Sequence, residues 1–157
     1  MGATINAEYI NPFLIAATKV LKDMVMVDAK MGKPYLKDTD FKDDSLLVML
    51  GVTGEMKGQV ILDFSHEVAL DIASKMCMMP MTELNELAKS AICELGNMIL
   101  GNTATVFSTK GIGVDITPPT MCQGNVSFTS TYASNICVPL IYEEGRAIEI
   151  NVAVYKE

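Results

Sequence analysis

The sequence predicts an α+β fold: a largely antiparallel sheet, two long amphipathic helices, a shorter helix, and pseudo-duplicated halves. Three observations lead there. Apolar residues recur at helical spacing in three separate segments. The β-rich runs come as pairs across tight turn signals, which favours hairpins over parallel crossovers. Each half opens with an amphipathic helix followed by paired strand-like runs, although residue identity between the halves is weak.

The first helix is expected in the opening segment "NAEYINPFLIAATKVLKDMV", with Ile10, Phe13, Leu14, Ala17, Val20, Leu21 and Met24 forming its apolar stripe. Pro12 is tolerable in a first turn but not later, so the helix is expected to start near Asn11. "GKPYLKD" reads as a turn into a short strand. "SLLVMLGVTGEMKGQVILDFS" reads as a hairpin, with its turn over Gly54-Glu55-Met56-Lys57-Gly58. "SHEVALDIASKMCM" follows as a helix with Ser65 as N-cap and Glu67 in the first turn. The long helix is expected from about Glu83 to Ser108, capped by Thr82. The remainder is strand-like, with turns at Pro118-Pro119, at Gln123-Gly124-Asn125 and at Glu143-Glu144-Gly145. A single domain spanning 1-157 is expected, since no linker or low-complexity stretch divides the chain.

Bulk properties narrow the function. Of 157 residues, 19 are acidic and 12 basic, and the net charge of −7 argues against nucleic acid or an anionic membrane as partner. The N-terminus lacks a signal peptide pattern, and Gly2 is followed by Asn6 where a myristoylation signal has Ser or Thr. "LLVMLGV" is far too short to span a bilayer, so a cytoplasmic protein is expected. The four cysteines (Cys77, Cys93, Cys122, Cys137) form no C-x-x-C pair and lie far in sequence from His66, the single histidine. No metal site is expected from that spacing. His66, at a strand-to-helix junction, reads as a surface or capping residue.

The long helix holds the most specific signal. At about 100° per residue, Leu84, Leu87, Ala88, Ala91, Leu95, Met98 and Ile99 share one side and read as the core stripe. Glu86, Ser90, Glu94, Asn97 and Gly101 share an arc on the opposite side. Asn and Gly are poor helix formers, and this face uses both where Lys, Gln or Ala would stabilise more. Spacing alone leaves a solvated face and a working surface both open. A carboxylate and an amide cannot easily run covalent chemistry. They can clamp a lysine and hold a water in line, and so complete another protein's active site.

At these residues the chain resembles the CheC/CheX/FliY phosphatases of bacterial and archaeal chemotaxis. Their pattern of Ser or Asp, three residues, Glu, two residues, Asn, and a later Pro is met by Ser90, Glu94, Asn97 and Pro119, in "SAICELGNMILGN" and "VDITPPT". The flanking sequence is similar to the CheX branch, and so is the single copy of the motif: "NPFLIAATKVLKDM" has no Glu-x-x-Asn. The resemblance implies a CheC/CheX-like fold and removal of the phosphoryl group from the phospho-aspartate of a CheY-type response regulator. It implies that Asn97 orients the attacking water and Glu94 engages a lysine of the partner. Ser90, Gly101 and Asn102 would contact the partner, while Pro118 and Pro119 shape the turn beside the helix. It implies Mg2+ in the partner's site, no cofactor of the chain's own, and a homodimer with joined sheets. A competing reading is a non-catalytic module that docks on and sequesters a response regulator or another chemotaxis protein.

Overall fold

The computed structural model describes residues 7–38, 40–41, 45–127 and 135–156. Helix α1 (Ala7–Val20) runs into one π-helical turn at Leu21–Val25. Short strands β1 (Lys30–Met31), β2 (Tyr35–Leu36) and β3 (Asp40–Phe41) lead to the hairpin β4 (Leu46–Gly54) and β5 (Met56–Phe64). Then come α2 (His66–Cys77) and α3 (Glu86–Thr109). The short strands β6 (Val114–Ile116), β7 (Thr120–Gln123) and β8 (Val126–Ser127) precede a second hairpin, β9 (Ile136–Ile141) and β10 (Ala147–Lys156). Every described pairing is antiparallel.

The sheet reads as a palindrome. Its order is β1-β9-β10-β5-β4-β6, with β2 also pairing β9 and β7 also pairing β4. Mapping β1 to β6, β2 to β7, β4 to β9 and β5 to β10 turns this order into itself, and β3 pairs with its own counterpart β8. Each half therefore lends its two short strands to the hairpin of the other half. The helices match too. Adding 86 (94 − 8) to the buried α1 residues Ile10, Phe13, Leu14 and Ala17, and to Leu21 of the π-helical turn, gives Gly96, Ile99, Leu100, Thr103 and Phe107, all buried on α3.

The three helices cover one face of the sheet. Val48, Leu50, Val60, Leu62, Val138, Ile150 and Val152 point into a core shared with α1, α2 and α3. Phe13 and Phe107 cross edge to face at 5.6 Å, tying α1 to α3. α3 lies close on β4 because Gly96 has no side chain: a Cβ there would stand 3.0 Å from Val48 Cγ1. The other face carries a small cluster of Phe41, Leu47 and Ile61 beside a polar group. There Lys37 lies 3.6 Å from Asp63 and 3.5 Å from Glu149, and Tyr35 donates to Glu149 at 2.7 Å. Asn151 donates to the Ile61 carbonyl and accepts from Asn135, so these buried amides are paired.

Several expectations need correction. The first helix is already formed at Ala7, with Pro12 inside it and buried. Pro12 is the sixth helical residue, past the opening turn, so the helix forgoes the bond that an N–H at this position would donate to the Glu8 carbonyl. The earlier start brings a Glu-x-x-Asn, Glu8 and Asn11, onto α1, contrary to the expectation that this helix has none. The cap of α3 is Asn85, not Thr82: Asn85 Oδ1 accepts from the Ala88 N–H at 2.9 Å. Ser65 caps α2 as expected, accepting from Val68 N–H at 3.2 Å. The first hairpin turns more tightly than expected, because Met56 is drawn into the core and β5 begins there. In the methionine-rich stretch "KMCMMPM", residues 75–81, Met81 is buried while Met78 is 90 % exposed.

Candidate active site

α3 buries Ala88, Ile92, Leu95, Gly96, Ile99, Leu100, Thr103 and Phe107. That stripe is rotated from the expected one. Leu87 is 53 % exposed, while Ile92 and Leu100 take its place against the sheet. The opposite arc stands as expected: Glu86, Ser90, Glu94, Asn97 and Gly101 are all exposed. Glu94 and Asn97 project about 60° apart around the axis, one turn from each other. Among the described residues neither side chain is held by a hydrogen bond or ion pair with another residue. Asn102 leaves this group. It lies about 140° around the axis from Asn97, and its Nδ2 donates to the Met98 carbonyl at 2.8 Å.

The two prolines are brought to Asn97 by the edge of the sheet. β6 pairs with β4 at Val52–Gly54, and β7 pairs at Leu46–Met49. Pro118 and Pro119 fall between them, where the ladder is interrupted because proline has no N–H to donate. Thr117 bridges the gap. Its N–H donates to the Gly51 carbonyl at 3.0 Å, and its Oγ1 accepts from the Gly51 N–H at 2.7 Å. Glu55, at the tip of the first hairpin, accepts from the Gly113 N–H and so fixes the end of α3 to β4. The result is an open groove of about 420 Å³ lined by Asn97, Gly101, Ile116, Thr117, Pro118 and Pro119.

Among the described residues no charged side chain lines this groove, and Glu94 stands outside it. Burial pushes the neighbouring Cys93 thiol above its usual value, so it is protonated at neutral pH and a poor nucleophile. Among the described residues no group of three or more His, Cys, Asp or Glu could hold a metal ion. His66 is exposed at the start of α2. No helix among the described residues is long and apolar enough to cross a membrane. Chemically, the face offers a free amide, able to accept and donate at once, and a free carboxylate beside a neutral groove.

A paired-hairpin sheet covered by helices, with Glu-x-x-Asn on the outward face of the longest one, defines the CheC-like class. The family described as "Chemotaxis phosphatase CheX" matches residues 46–140. The chain is 38% identical over 120 residues to the CheY-P phosphatase CheX of Thermotoga maritima, covering 76% of this chain and 77% of that one. It also resembles the CheX of a CheX–CheY complex with BeF3 and Mg2+ from Borrelia burgdorferi, with 35% identity, a TM-score of 0.79, and coverage of 94% and 98%. A CheC-like superfamily protein from a Shewanella species superimposes at a TM-score of 0.85 with 26% identity, covering 96% of this chain and 99% of that one. The chain belongs to the CheX family of chemotaxis phosphatases.

Proposed function

We propose that this chain is one phosphatase domain that hydrolyses the phospho-aspartate of a CheY-type response regulator, with Asn97 as the residue that meets the attacking water. The observation that carries this reading is the state of Asn97. It is exposed and unengaged among the described residues, and it forms a wall of a groove on the same face as Glu94. The names of the Thermotoga and Borrelia relatives support a CheY partner.

In this reading Asn97 enters the partner's site and accepts a hydrogen bond from water through its carboxamide oxygen. The water oxygen bonds to phosphorus as the bond from phosphorus to the aspartate oxygen breaks. The electron pair leaves with the carboxylate, and the water protons pass to the phosphate product and solvent. An amide cannot take up a proton at neutral pH, so Asn97 contributes orientation rather than base strength. Glu94 engages a lysine of the partner and fixes the approach. Ser90 lies on the docking face, and Pro118 and Pro119 form the far wall of the groove. The partner holds the Mg2+, which neutralises charge on the phosphoryl oxygens. The reaction belongs in the cytoplasm, with the receiver.

The test is decay of the phosphorylated receiver with substoichiometric protein. Wild type is expected to accelerate decay over many turnovers, and Asn97→Ala to abolish that acceleration while keeping the fold. Equal acceleration by the variant would sink the assignment, and a stoichiometric effect would favour sequestration.

We further propose a homodimer through the β1–β2 end of the sheet. Leu36 is 68 % exposed there, and Met31, Tyr35 and Ile141 are exposed around it beside strand edges that are unpaired among the described residues. Leu36→Lys should shift the protein to monomer in light scattering. An unchanged mass would refute this edge as the interface.

A further inference from the structure

α3 has two glycines within its span that face opposite ways. Glycine weakens a helix interior relative to alanine, so each calls for a reason. Gly96 has one inside the molecule, the 3.0 Å approach to Val48. Gly101 has none. A Cβ there would meet nothing within 4 Å, and its backbone is not left-handed. The fold does not ask for glycine at 101. Its counterpart on α1, 86 residues earlier (101 − 86), is Ile15, which is 51 % exposed and causes no difficulty there.

Gly101 lies one turn beyond Asn97 and lines the same groove. Among the described residues the polar side chains in that lining are those of Asn97 and Thr117, and the Thr117 hydroxyl is already engaged by Gly51. With Asn97 directed at the reacting group, the rest of the groove offers Ile116, two prolines and the bare backbone of Gly101.

We propose that this groove receives an uncharged, apolar side chain that the response regulator presents beside its phospho-aspartate, and that Gly101 leaves the room for it. The proposal rests on the function proposed above. Its geometric basis is continuity: Asn97 is a wall of the groove, so a partner that brings its phosphoryl group to Asn97 covers the groove as well. A receiver with a bulky charged residue at that place is excluded by the same geometry.

The test uses Gly101→Ala and Gly101→Ile in the full chain, with two readouts. One is acceleration of phospho-receiver decay. The other is affinity for the receiver activated with beryllofluoride and Mg2+. Both variants should melt above wild type, because each replaces an exposed helical glycine. Affinity should fall slightly for alanine and about tenfold for isoleucine, with KM rising more than kcat falls. Wild-type affinity in Gly101→Ile overturns the proposal. So does a melting temperature below wild type in Gly101→Ala, which would mean that the fold itself needs the glycine. If wild type binds the receiver without accelerating decay, the phosphatase reading fails and the groove stands on its affinity readout. If wild type does not bind the receiver at all, both fall.

Discussion

α1 and α3 occupy equivalent places in a palindromic sheet, and both carry Glu-x-x-Asn on exposed positions: Glu8 and Asn11, Glu94 and Asn97. Their surroundings differ. Beyond Asn97 comes Gly101, while beyond Asn11 comes Ile15. The groove at Asn97 measures about 420 Å³ and has Thr117 and two prolines as its far wall. The groove at Asn11 measures about 240 Å³ and is lined by Ala7, Ile10, Leu14, Met31, Pro34 and Ile136. At the sheet edge, Gly51 and Thr117 exchange two hydrogen bonds. The matching pair, Pro139 and Gly32, makes one, from Gly32 N–H to the Pro139 carbonyl at 2.7 Å, since Pro139 has no N–H and Gly32 no hydroxyl. Two residues at the right spacing do not by themselves make a site. What separates the two helices is the room beside the amide and the wall facing it.

That contrast can be broken experimentally. The largest effect belongs to the asparagines. Asn97→Ala should lower kcat about 100- to 1,000-fold, the loss expected of one well-placed hydrogen-bonding group. Asn11→Ala should leave receiver dephosphorylation at the wild-type rate, and a comparable loss there would erase the distinction between the two faces. A smaller effect is expected from Thr117→Val, which makes the α3 edge resemble the α1 edge. Losing the bond to the Gly51 N–H should lower unfolding free energy by about 0.5–1.5 kcal/mol and raise KM modestly, with Thr117→Ser restoring both. The smallest effect on activity is expected from Ile15→Gly. It should lower stability by about 0.5–1 kcal/mol and restore no dephosphorylation in an Asn97→Ala background. Recovery of activity in that double variant would show that room alone is sufficient.

Much of this was legible in the sequence, and the failures have physical causes. Helical spacing placed Ser90, Glu94, Asn97 and Gly101 on one outward arc, as found. It misplaced Leu87 and missed Ile92 and Leu100, because α3 is apolar around most of its circumference and periodicity alone does not say which apolar flank meets the sheet. Pro12 misled through a sound rule applied one turn too strictly, and the late start left Glu8 outside the helix and so hid its pairing with Asn11. Asn102 is next to Gly101 in sequence but turns back on its own helix, a choice made by a local carbonyl that spacing does not reveal. The wall of the groove depends on a bond between residues 66 apart, Gly51 and Thr117, for which neither residue carries a local signature. The palindrome was only hinted at, because the matched halves share burial pattern far more than residue identity.

The paired glycines of α3 have one more consequence. Gly96 lets the helix backbone rest on β4, and Gly101 leaves the same backbone bare on the outside. Stripped on both sides, the segment has little intrinsic tendency to stay helical and depends on the sheet beneath it. A synthetic peptide copying Glu86–Thr109 would carry both motif residues and hold neither in place, so its circular dichroism in water should be mostly that of coil. The face that addresses the receiver is thus not portable: it cannot be lifted out of the protein as an inhibitor or grafted as a bare helix without also supplying a surface for Gly96 to lie on.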